Sequence, residues 1–229
     1  MRADIVKRRL PRRAGLVMRA AMTGISLAAA KAGLIEVGLR FDRRGWAPAT
    51  AGNYSARLDD GTFAITVSGR HKGRLTADDI MVVDAQGRSL DGKKPSAETW
   101  LHMMLYRDFP ETGCVLHSHA TTGVALARLL ADAGEWTISG HEMLKVLPGI
   151  TTHETSVTLP IVENSQDMRD IERALGDRLT MPGATAAYVI RSHGLYGWGR
   201  DIDEADRVIE GIEWLAEVEL HEMMVRARA

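Results

Sequence analysis

Apolar and polar positions along the chain change period several times, and each change marks an element. From about residue 20 to 45, Ala, Leu and Ile recur at helical spacing until Arg43-Arg44-Gly45-Trp46-Ala47-Pro48 stops the pattern, which predicts a helix. Alternation takes over in Asn53–Leu58 and again in Thr62–Val67. The intervening Asp59-Asp60-Gly61 supplies a glycine for the positive φ that a tight connection needs, so the pair predicts a β-hairpin. Ile80–Asp84 reads as another strand. Ser96 then caps a helix running to about Arg107, with Thr99 at its third position. The apolar run Cys114-Val115-Leu116 predicts a strand, Thr122–Ala133 a helix and Trp136-Thr137-Ile138 a short strand. Ser156–Val162 is strand-like, with Pro160 placing it at an edge or a bulge. Asp167–Leu179 is amphipathic helix, Ala186–Arg191 a buried strand followed by a glycine-rich turn, and Ile202–Val225 a long closing helix.

Strands and helices interleave without an internal repeat or a low-complexity linker, so the pattern describes one α/β unit. A chain of 229 residues is long enough to bury a single large core. The division expected is a basic N-terminal extension over 1–19 and a catalytic domain over 20–229. The extension carries Arg2, Lys7, Arg8, Arg9, Arg12, Arg13 and Arg19 against the single acid Asp4. Over the whole chain the charges nearly cancel, to a net −1, which argues against nucleic acid or a membrane surface as the main partner. The apolar stretch Ala20–Leu34 is interrupted by Lys31 and is too short to span a bilayer. A lone cysteine, Cys114, excludes an intramolecular disulfide and fits a reducing, cytoplasmic compartment.

The chemistry begins where the Cys114 strand ends. His117 and His119 stand two residues apart, so in extended chain both point to the same face and offer two nitrogens to one metal ion. His193, after the strand Ala187-Tyr188-Val189-Ile190, offers a third. Three histidines with an open fourth position describe catalytic zinc better than structural zinc, although manganese or iron accepts the same donors. Four polar loops are candidates to converge on that ion: Thr50–Asn53, Val67-Ser68-Gly69, Lys93–Glu98 and Gly140-His141-Glu142. Their glycines let main chain approach a ligand, and the amides after Ser96 suit an anion. Glu98 and Glu142 are the carboxylates placed to move protons beside a metal-polarised carbonyl.

The order Ala51-Gly52-Asn53-Tyr54-Ser55, Val67-Ser68-Gly69, Pro95-Ser96-Ala97-Glu98, His117-Ser118-His119 and His193-Gly194 resembles the class II aldolase/adducin family. The likeness runs from about Leu34 to near Leu220. Gly45-Trp46, Pro48-Ala49-Thr50, His71-Lys72-Gly73, Gly140–Lys145 and Thr151-Thr152-His153-Glu154 look like its sugar-phosphate dehydratase branch. The resemblance implies a three-layer α/β/α fold with a mostly antiparallel central sheet, assembled as a homotetramer with sites near subunit interfaces. It also implies one Zn2+ per subunit on His117, His119 and His193. Asn53, Ser68, Gly69 and Ser96 would bind the phosphate of a small sugar phosphate, with Lys72 and Lys94 as charge partners. Glu142 matches the acid/base of the dehydratases, whereas Glu98 matches that of the aldolases. Aldolases of this kind resemble one another in a C-terminal tyrosine, and here no tyrosine follows Tyr196. A non-catalytic adducin-like module needs no metal, and the intact histidine set speaks against it.

Overall fold

The computed structural model describes residues 24–228, so the basic extension 1–19 and the start of the first expected helix lie outside the described residues. Eight strands form one sheet in the order β3-β2-β1-β4-β8-β7-β6-β5. They are β1 Asn53–Arg57, β2 Phe63–Thr66, β3 Ile80–Val83, β4 Cys114–Ser118, β5 Glu135–Ser139, β6 Ser156–Val162, β7 Ala187–Ile190 and β8 Gly194–Gly199. Every neighbouring pair is antiparallel except β6 and β7.

Alternation along the strands sorts side chains into two cores, and each core recruits its own helices. Tyr54, Ala56, Cys114 and Leu116 face α1 (Leu27–Arg43), α3 (Thr121–Leu129) and α5 (Ile202–Arg226). Ile65, Val115, Tyr188, Tyr196 and Trp198 face α2 (Thr99–Asp108) and α4 (Met168–Leu175). Helices on both faces of a mostly antiparallel sheet make the three-layer α/β/α arrangement that the resemblance implies. Among the described residues no helix is long and apolar enough to cross a membrane.

The hairpin predicted around Gly61 forms, with Ser55 opposite Ile65 and Gly61 at φ 83°. Three local expectations need correction. Ser96 does not cap α2 in the expected way: its hydroxyl accepts from the Glu98 amide at 3.2 Å, and the helix begins only at Thr99 with Glu98 in the cap position. Pro160 lies in an interior strand, so of its two expected places the edge fails and the bulge holds. Thr158 bridges Ala184 on that side and Ile161 pairs with Val189 beyond it, so the proline falls in a gap of the ladder where no donor is required. The glycine-rich segment after Ile190 is strand β8, not a turn. A Cβ at Gly197 would stand 2.8 Å from the Ile209 side chain and one at Gly199 2.6 Å from the Ala205 nitrogen, so α5 packs on bare backbone.

Candidate metal centre

The site grows from the end of β4. Val115 and His117 point toward the α2/α4 layer, Leu116 and Ser118 toward α5, and the chain continues extended long enough to return His119 to the side of His117. The His119 amide donates to the Trp46 carbonyl at 2.7 Å, which fixes the strand's exit. β8 lies antiparallel beside β4, and the tight turn Arg191-Ser192-His193 into it brings His193 to the same place. Ser192 holds φ at 58°, a left-handed conformation uncommon for a side chain other than glycine. Gly194 lets the strands approach: a Cβ there would stand 2.0 Å from the Ser118 carbonyl oxygen and 3.0 Å from His117 Cε1.

Four ligand atoms converge. One donor each from Glu98, His117, His119 and His193 lie within 4.8 Å of one another. His117 Nε2 is 3.2 Å from His193 Nε2, and Glu98 Oε1 lies 2.9 Å from His193 Nε2 and 3.9 Å from His117 Nε2. His117 Nδ1 faces the Leu195 carbonyl at 2.9 Å, and His193 Nδ1 faces Asn164 Oδ1 at 3.3 Å. Each Nδ1 therefore donates to an oxygen, which leaves both Nε2 lone pairs aimed at one point. Two lone pairs at 3.2 Å repel unless a cation or proton lies between them. This donor set, three nitrogens and one carboxylate oxygen, fits a divalent metal ion.

Burial sets the electrostatics. It holds the His117 imidazole well below its ordinary range and His119 at about 4, so both present neutral lone pairs. Burial works to raise the Glu98 carboxyl, but its contact with His193 and the closeness of His117 and His119 bring it down to about 2. The His117 ring is also stacked on Tyr196, its register partner, with centroids 4.0 Å apart, and Tyr196 on Tyr188 at 4.9 Å. On the opposite side of β4, Ser118 donates from its hydroxyl to Glu213 Oε1 at 2.5 Å. Burial pushes that carboxyl up to about 7.

A cleft of about 350 Å³ opens onto the histidines. Three of the four expected loops line it, through Thr50–Asn53, Val67–Gly69 and Ser96–Glu98. Asn53, Ser68, Gly69, Ser96 and Lys72 thus share one cavity with His119 and His193. Lys72 is buried, donates to the Thr50 and Arg70 carbonyls at 2.9 and 2.7 Å, and is brought down by burial to about 8. Lys94 is exposed and does not line the cleft.

Glu142 is likewise outside. It stands 71 % exposed on the short 3-10 turn Glu142–Val146, paired with Lys145 at 2.5 Å and His153 at 3.3 Å, so the fourth loop does not converge on the centre within one chain. Its place is taken by Asn164-Ser165-Gln166 after β6, which the sequence reading missed. Nothing in Asn-Ser-Gln distinguishes that segment from an ordinary polar turn. A larger cleft of about 700 Å³, between α1 and the start of α5, contains none of the histidines.

Residues 32–220 match the family described as Class II Aldolase and Adducin N-terminal domain. A methylthioribulose-1-phosphate dehydratase of Methylococcus capsulatus is 49 % identical over 186 residues, covering 81 % of this chain and 90 % of that protein. The protein of the same name from Marinobacter nauticus is 42 % identical over 200 residues, covering 87 % and 96 %. Among solved structures, L-fuculose-1-phosphate aldolase from Thermus thermophilus superposes with a TM-score of 0.71 at 24 % identity, over 88 % of this chain and 98 % of that one, a likeness of fold.

Proposed function

The chain belongs to the class II aldolase and adducin N-terminal domain family, and from that premise we propose that it is a metal-dependent methylthioribulose-1-phosphate dehydratase. The reaction removes water from 5-methylthioribulose 1-phosphate to give 5-methylthio-2,3-dioxopentyl phosphate, a step of methionine salvage. Dehydratases of that name match 77–87 % of the chain at 42–49 % identity. The observation that carries the reading is the convergence of His117, His119, His193 and Glu98 beside a polar cleft.

In this reading the three histidines hold Zn2+, and the ion when bound supplies Lewis-acid polarisation of the C2 carbonyl, which acidifies the C3–H bond. The chain's own residues do the rest. Asn53, Ser68, Gly69 and Ser96 take the phosphate, with Lys72 as the neighbouring cation, and so hold C3 and C4 in place. The backbone at Gly69 is open on its Cβ side, with no atom within 4 Å to obstruct an oxyanion. A carboxylate removes the C3 proton, the C4 hydroxyl leaves as water with a proton supplied to it, and the enol ketonises. Glu142 is assigned these transfers. Because it stands outside its own cleft, it acts where assembly of a homotetramer sets the 142–146 turn against the cleft of a neighbouring subunit. Residues 1–19 lie outside this catalytic domain, and the single buried Cys114 suits a reducing cytoplasm.

One observation favours a second reading. Glu98 is the carboxylate the chain itself places among the histidines, as a sugar-phosphate aldolase requires. Incubation of the metal-loaded protein with methylthioribulose 1-phosphate separates the two. Formation of the 2,3-diketone supports the dehydratase, and release of dihydroxyacetone phosphate would replace it with the aldolase.

A further inference from the structure

Glu213 is a buried carboxyl for which the chemistry above has no use. It is 3 % exposed, and the residues around it are Leu126, Trp136, Val189, Leu195 and Ile212. A carboxyl placed among such neighbours is strongly disfavoured unless it is well partnered. Among the described residues no Lys, Arg or His pairs with it. Its one hydrogen-bond partner is the Ser118 hydroxyl, and Oε2 is left without any. The fold nevertheless makes room for it: a Cβ on Gly123 of α3 would stand 2.7 Å from Oε2. Leucine at 213 would pack in these surroundings at lower cost. The group is therefore expensive for stability, and its single contact falls on the residue between two of the proposed metal ligands.

We propose that Glu213 is a positioning residue for the metal centre, clamping Ser118 from the α5 layer and so fixing the separation and orientation of His117 and His119. The inference rests on the metal-site reading above. Alternation in β4 sends the ligand His117 to one face of the sheet and Ser118 to the other. A bond of 2.5 Å from a helix to Ser118 thus restrains the strand end without entering the cleft. The Leu195 carbonyl fixes the His117 ring and the Trp46 carbonyl fixes the His119 backbone. Ser118–Glu213 is the tie between those two anchors. Groups hydrogen-bonded directly to metal ligands typically govern metal affinity by about 10- to 100-fold, and this tie acts on two ligands at once through the backbone of the residue between them.

The test withdraws Zn2+ from the holoprotein with a graded chromophoric chelator and follows melting of the loaded and stripped forms. Glu213→Leu should weaken zinc binding about 10- to 100-fold while the stripped protein melts no lower than wild type. Glu213→Gln, which keeps an oxygen for Ser118 to donate to, should bind zinc within about threefold of wild type. Ser118→Ala should reproduce the loss, and the Ser118→Ala/Glu213→Leu pair should lose no more than either single variant. Wild-type zinc affinity in Glu213→Leu would overturn the proposal, as would a lower melting point of the stripped form with unchanged affinity. If Glu213→Leu fails to fold, Ser118→Ala decides, because it removes one hydroxyl and wild-type affinity there is equally fatal. A wild-type protein that holds no zinc would instead overturn the metal-site reading and the clamp with it.

Discussion

Replacing Gly194 by alanine tests whether the site depends on the close approach of β8 to β4. The added Cβ would lie 2.0 Å from the Ser118 carbonyl oxygen, where ordinary contact begins near 3.4 Å. Both groups belong to backbone in paired strands, so no rotamer change relieves the clash and the strands must part by about 1.4 Å at this point. Overpacking of this kind costs roughly 1–3 kcal/mol. The nearby bond from His117 Nδ1 to the Leu195 carbonyl, 2.9 Å long, would be stretched toward breaking, adding about 1 kcal/mol. The expected loss of stability is therefore about 3 kcal/mol, read by urea unfolding of the stripped protein. The same displacement carries His117 away from His193 by far more than the roughly 0.2 Å that coordination tolerates. Chelator competition should show zinc affinity down by about 100-fold or more. A variant within about 0.5 kcal/mol of wild type and with unchanged affinity would refute the argument that this approach builds the site.

His119→Ala should empty the metal site, since two imidazoles and one carboxylate remain; metal analysis at full occupancy would remove the ligand assignment. Glu142→Gln should retain metal yet lose orders of magnitude in turnover, and mixed tetramers of Glu142→Gln with His119→Ala subunits should recover part of it if the carboxylate crosses an interface. An active Glu142→Gln enzyme beside a dead Glu98→Gln enzyme would move the proton transfers to Glu98. Glu213 gives a pH signature. Its folded carboxyl is raised to about 7 from an ordinary 4.5, so the stability it contributes is full below about 4.5 and is lost as pH rises through 7. In stripped protein Glu213→Gln should therefore gain on wild type between pH 5 and 8 by up to about 3 kcal/mol, and parallel stability curves would contradict it.

Much of this site is written in residue parity. The alternation of β1 and β2 and the glycine between them located the hairpin, and the two-residue spacing of His117 and His119 placed both rings on one side of β4. Side chains that contact only distant segments left no such trace. β8 was misread because Gly194, Gly197 and Gly199 carry no side chains to alternate, and their absence serves packing against β4 and α5. Glu142 has the apolar neighbours Met143, Leu144 and Leu147 in sequence, which says nothing of the direction of its own side chain. In the 3-10 turn Leu144 goes into the core with Leu147 following, and the carboxylate points out. Asn164 reads as turn chemistry until β6 and β7 bring it to His193. Glu98 matches the acid of the aldolase branch by sequence, and only the packing of the α2 start against the β7–β8 turn brings it 2.9 Å from His193.

The pairing of β4 with β8 also dictates when the centre can exist. His117 and His193 meet across 76 residues of chain, and β6 and β7 with their intervening helix must be laid down between them. Closing a loop of that length costs conformational entropy that only the finished sheet returns, so a topology of this kind folds late and cooperatively. During synthesis His117 and His119 emerge well before their third partner. A nascent chain therefore offers an incomplete, weakly retentive site that lacks His193, and tight capture of an ion waits for β8 to dock. Metal acquisition becomes a reporter of β8 docking, and loading a refolding chain with zinc at successive times should trace the closure of that strand.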